Sequence, residues 1–351
     1  MHRLPLAALA FVLVSLAPAH GADSRTGFLK LIDRPKVPLA PSESPPTQKD
    51  GLVEIAFSFA TERGQRVPGI LVKTAGAGQR AETLTNTDER RPVVIALHGT
   101  GGNKESQRAL LNDLARDGFV GVAIDGRYHG ERAKAGKVAR SVEYVEAVLR
   151  AFRTGQEHPF FFDTAWDVMR LIDYLETRAD VDPRRIGAIG FSKGGIETYL
   201  SAAVDPRIAV AVPCIGVQSF RWAIENDAWQ SRISTIQAAF DAAAKDRGVA
   251  PDAAFARRFY DRVAPGIYGA FDGPAMLPLI APRPLLAING DRDPRTPLPG
   301  LNECADAARA AYRAAGVGDK FVLHLQPDTA HKVLPESIVL AREWFVRWLK
   351  P

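Results

Sequence analysis

The chain has 351 residues, 46% hydrophobic and 24% charged, enough to bury a full core in one large or two modest domains. Its 45 basic and 40 acidic residues leave a formal charge of +5, and no block of like charges occurs, so no nucleic-acid partner is expected. Two cysteines, Cys214 and Cys304, show no CxxC or histidine-rich spacing, so no metal site is expected; no cofactor is expected either, and a disulfide and two buried free thiols both stay open.

The first residues, "MHRLPLAALAFVLVSLAPAHGADS", set Arg3 before an apolar run that exits through Ala17-Pro18-Ala19. That is the pattern of an export signal over residues 1–22, too short for an anchor, and it predicts a secreted or periplasmic protein. Elsewhere no apolar run reaches the roughly 18 residues of a span, so no stable membrane insertion is expected after cleavage. Residues 23–50 read as a proline-rich N-terminal arm, of which Arg34 to Asp50, dense in proline, serine and charge, is expected to be extended or a linker rather than a core element. "LVEIAFSFA" and "VPGILVK" then predict two antiparallel edge strands, and 74–91 an exposed loop.

Beyond that loop, short apolar runs alternate with amphipathic stretches. The runs at 93–97, 120–124, 186–189, 208–213, 285–288 and 321–325 predict strands, and 105–116, 164–178, 194–204, 301–315 and 336–349 predict helices. Strands apolar on both faces with helical crossovers define an α/β domain over 51–350: a mostly parallel sheet of about eight strands, covered by helices on both sides. Between 218 and 282 the rhythm breaks into an aromatic-bearing stretch, read as a helical insertion, or lid, over the carboxyl ends of the strands.

Three strand ends carry chemistry. "GFSKG" at 190–194 follows an apolar run and precedes a helix, the setting of a nucleophile elbow, where flanking glycines let backbone come close to Ser192. "LHGTGGNKE" ends another strand in a glycine turn, and the amides of Thr100 and Lys193, with Gly101 as substitute for the first, are the expected oxyanion donors. "NGDRDPRTP" offers Asp291 and Asp293, of which Asp293, beyond the turn, is the preferred orienting acid; Asp328 is a lesser rival. His331, in the loop before the last helix, is the expected base, whereas His324 alternates within a strand. The chain order Ser192, Asp293, His331 suits acyl transfer through an acyl-enzyme.

On "LHGTGGNKE", "GFSKGG", "NGDRDPRTP" and "TAHKV" the chain resembles the α/β-hydrolases over residues 51–350, within them the branch of dienelactone hydrolases, acetyl xylan esterases and prolyl-oligopeptidase catalytic domains. The resemblance implies a serine hydrolase without a metal, with Ser192 as nucleophile, Asp293 as acid, His331 as base and the loop after His98 beside the oxyanion. Serine at the elbow departs from the cysteine of dienelactone hydrolases and the aspartate of haloalkane dehalogenases. The expected substrate is a small-molecule carboxylic ester. A short peptide or amide cleaved by the same serine is the alternative, with Glu225 or Asp227 as candidates for its charged end, and a ligand-binding protein on a hydrolase scaffold is the non-enzymatic one.

His98, Tyr128, His129 and Trp222 are further candidates for contact with substrate. Asp125 and Arg127 are expected to pair with each other, Phe160 to Phe162 to pack in the core, and the Lys193 side chain to face solvent.

Overall fold

The computed structural model describes residues 20–75, 90–133 and 141–350, with side chains from residue 23 onward. Ten strands among them form one sheet: β1 (Ser42–Glu43), β2 (Thr47–Lys49), β3 (Leu52–Glu62), β4 (Gln65–Thr74), β5 (Arg91–Leu97), β6 (Val120–Ile124), β7 (Val181–Phe191), β8 (Ile208–Cys214), β9 (Leu285–Gly290) and β10 (Phe321–Gln326). The helices in chain order are α1 (His20–Ile32), α2 (Arg108–Arg116), α3 (Val142–Thr154), α4 (Phe162–Glu176), α5 (Lys193–Val204), α6 (Phe220–Glu225), α7 (Gln230–Ile233), α8 (Gln237–Arg247), α9 (Ala253–Val263), α10 (Gly273–Met276), α11 (Leu298–Ala314) and α12 (Pro335–Leu349).

The sheet runs β1-β3-β4-β6-β5-β7-β8-β9-β10, with β2 also on β3. From β6 to β10 every pairing is parallel, and from β1 to β6 every pairing is antiparallel. Side chains alternate between two cores. Ile95, Ala188, Ala211 and Ala287 face α4, α5 and α11, whereas Val94, Ile189, Val212 and Ile288 face α2 and α12. Burial on both faces explains why the central strands read as unbroken apolar runs.

Residues 218–282 are helical, forming α6 to α10. They are held by aromatic contacts: Phe152 of α3 stacks on Phe259 at 5.4 Å, and Phe160 stacks on Tyr260 at 6.2 Å. Phe160, Phe161 and Phe162 are all core residues, at most 2% exposed.

Three expectations are corrected. The sheet has ten strands rather than about eight, because β1 and β2 add a short edge to β3. The N-terminal arm carries a helix that the sequence pattern does not predict: α1 buries Phe28 and Ile32 along one stripe, and Phe28 meets Phe162 edge-on at 4.9 Å. α3 was absent from the sequence pattern as read, although Tyr144, Val148 and Ala151 give it a buried face. Most of the 1–22 leader and most of the 74–91 loop lie outside the described residues.

Candidate active site

Strand β7 ends at Phe191 and α5 begins at Lys193, so Ser192 alone makes the turn, at φ +56° and ψ −110°. A non-glycine residue there carries about 1–3 kcal/mol of strain. Its own backbone holds it, for Ser192 N–H donates to Cys214 O at 2.9 Å and Ile196 N–H donates to Ser192 O at 3.1 Å. The bracketing glycines are required by space. A Cβ on Gly190 would lie 2.1 Å from Gly194 O, and one on Gly194 would lie 2.3 Å from Leu97 O.

Three strand ends converge on that turn. His331, beyond β10, sets Nε2 2.8 Å from Ser192 Oγ and Nδ1 2.7 Å from Asp293 Oδ2. Asp293, three residues past β9, also accepts from Arg295 N–H at 2.8 Å, which fixes its carboxylate. With the proton on Nδ1, facing Asp293, Nε2 can accept the serine hydroxyl. Burial disfavours the Asp293 carboxylate, yet the bond and charge of His331 hold it below its ordinary range. Burial lowers His331 as well; the bond to Asp293 opposes that and the Arg232 charge adds to it, so the balance favours the neutral imidazole more than in a free histidine.

The rival residues lie elsewhere. Asp291 accepts from Thr329 N–H at 3.1 Å, Asp328 pairs with Arg292 at 77% exposure, and His324 bonds Ser337 Oγ at 3.1 Å. The loop after β5 reaches Ser192: a Cβ on Gly99 would lie 3.6 Å from Ser192 Cβ. Gly102 N–H donates to Gly99 O at 3.0 Å, closing the turn that holds Thr100 and Gly101, the latter at φ +77°. Lys193 N–H opens α5, where first-turn amides have no partner four residues back.

The other candidates have structural partners. His98 is 2% exposed, takes a bond from Gly126 N–H at 2.9 Å, and burial lowers it to about 3. His129 is 1% exposed, with Nδ1 2.7 Å from Arg127 O. Tyr128 is half-buried and donates to Glu157, while Trp222 packs beside Gly300 at the start of α11. Asp125 and Arg127 are both buried and paired, but not to each other as expected. Asp125 holds Lys104 at 3.1 Å and Arg127 holds Asp167 at 2.9 Å, because each reaches a carboxylate or ammonium on another element. Lys193 is also corrected: its ammonium is buried and pairs with Glu197 one turn along α5. Glu225 and Asp227 are exposed, Glu225 lying 3.6 Å from Arg257.

One residue at the site escaped the sequence. Arg232 of α7 sets Nη1 3.4 Å from Ser192 Oγ, and nothing in "WQSRIST" marks it, since only the fold returns that helix to the elbow. Cys214 and Cys304 are buried free thiols. Among the described residues no group of three His, Cys, Asp or Glu is arranged to hold a metal, and no helix is long and apolar enough to cross a membrane.

A mostly parallel sheet with a strained serine between strand and helix, and an acid and a histidine from later strand ends, defines the α/β-hydrolase class. The chain matches two families, "Glucuronyl esterase, fungi" over residues 141–316 and "Alpha/beta hydrolase domain containing 18" over residues 44–224. It belongs to the esterase-like α/β-hydrolase superfamily.

Among its relatives, the protein YtaP of Bacillus subtilis, named as a hydrolase, is 28% identical over 65% of this chain and 69% of its own length. The 4-O-methyl-glucuronoyl methylesterase of Neurospora crassa is 29% identical over 49% of this chain, and the match spans 43% of that enzyme. In structure, the chain is similar to acetyl xylan esterase 1 of Thermoanaerobacterium, with a TM-score of 0.64 at 18% identity over 94% of both chains.

Proposed function

We propose that the chain hydrolyses carboxylic esters through an acyl-enzyme on Ser192, and that its substrates are esters borne by carbohydrates. One observation carries the reading: the unbroken path from Ser192 Oγ to His331 at 2.8 Å and from His331 to Asp293 at 2.7 Å, set on a strained elbow. His331 Nε2 takes the hydroxyl proton as Oγ attacks the carbonyl. The Thr100 and Lys193 amides receive the oxyanion, and His331 returns the proton to the leaving alcohol. Asp293 keeps the ring oriented and stabilises it while charged. Water then repeats the cycle on the acyl group. The carbohydrate substrate is supported by the relatives named as glucuronoyl methylesterases and the fold neighbours named as acetyl xylan esterases. An export leader over residues 1–22 would bring the enzyme to such material outside the cytoplasm.

The test is release of p-nitrophenol from the acetate, butyrate and octanoate esters, beside an aminoacyl p-nitroanilide and acetylated xylan. Ester turnover that drops at least about a thousandfold in Ser192→Ala supports the proposal. Cleavage of the anilide alone would transfer the site to a peptidase, and turnover that survives in Ser192→Ala would overturn the triad.

A further inference from the structure

Arg232 is 2% exposed, yet none of the ion pairs among the described residues includes it. The other deeply buried cations are all paired: Lys73 with Asp180, Lys104 with Asp125, Arg127 with Asp167 and Lys193 with Glu197. Arg232 bonds only to neutral oxygens: Nε to Gln218 Oε1 at 2.9 Å, Nη2 to Ile215 O at 3.0 Å and Nη1 to Ser192 Oγ at 3.4 Å. A guanidinium has five N–H donors. Each terminal nitrogen therefore keeps one N–H without a partner among the described residues, the paired arrangement that suits a carboxylate. The site is built, because Gln218 and Ile215 hold the fork against the nucleophile.

Its side of the nucleophile matters. Strand β7 lies between β5 and β8. The proposed oxyanion loop follows β5, whereas Ile215 and Gln218 follow β8, so Arg232 sits across Ser192 from that loop. Asp293 acts on Arg232 only through its charge, with no bond between them; a buried cation without a bonded anion is costly, and a negative group brought by the ligand would relieve it.

We propose that Arg232 binds a carboxylate carried by the substrate beside its scissile ester, so that the preferred substrate is an ester of an acidic molecule. This rests on the serine-esterase reading above. The experiment compares methanol release from monomethyl succinate and from methyl 4-methylpentanoate, its uncharged shape analogue, by the full chain. The wild type is expected to favour the succinate monoester about tenfold or more in kcat/KM. Arg232→Gln brings that ratio to about one, and Arg232→Lys, charged but without the fork, falls between. Because the ratio is taken within each protein, a general loss of activity cannot imitate the result, and thermal melting shows whether each variant folds. A ratio near one in the wild type, or one that persists in Arg232→Gln, overturns the inference. Equal turnover of both esters, abolished by Ser192→Ala, would leave the serine esterase standing without the carboxylate site. No Ser192-dependent turnover of any ester would remove both.

Discussion

At the scale of single residues, the elbow leaves no room for a methyl group. Gly194→Ala must move Leu97 O or the start of α5 by most of an ångström, at a cost of about 1–3 kcal/mol, and should shift Ser192 from His331. A urea titration and an esterase assay on the same preparation read both effects. In the proposed mechanism the His331 base sets the acid limb of activity. Burial holds its proton affinity below the ordinary 6.5, so the acid-side half-maximum of kcat/KM should fall below pH 6.5. A half-maximum above 6.5 would contradict that environment. Lys193→Met strands the Glu197 carboxylate and should cost about 3–5 kcal/mol, while the double change with Glu197→Met should cost much less. Glycines at fixed spacing announced the tight turn at Ser192, since close backbone approach constrains sequence directly. The lysine's fate and the presence of Arg232 were hidden, because both depend on which helix packs where.

Elements were legible in proportion to their burial. Strands β5, β6, β8 and β9 appear as apolar runs, since a parallel strand covered on both faces has no polar side to interrupt it. α1 was missed because Gly27 breaks its stripe and prolines follow at once, yet Phe28 lies between Phe162 and Phe271, with ring centroids 4.9 and 5.2 Å away. Phe28→Ala should therefore lower stability by about 3–5 kcal/mol in denaturant titration, a loss that a dangling arm would not produce. β1 and β2, two and three exposed residues long, gave the sequence no periodicity to display.

For the molecule as a whole, buried histidines set a limit on acid tolerance. His98 takes up its proton only near pH 3 when folded but near 6.5 when unfolded. Its contribution is thus complete above pH 6.5 and is lost as pH falls toward 3, at up to about 1.4 kcal/mol per pH unit. Unfolding free energies measured from pH 7 to 4 should fall accordingly, and His98→Asn should flatten the slope by about that amount. The sheet also has a kinetic implication. Ser192 and His331 meet across 139 residues of chain, a span that includes β8, β9 and β10. Refolding from denaturant should therefore restore helical circular dichroism before turnover, and the reappearance of catalysis becomes a clock for the last long-range closure of the chain.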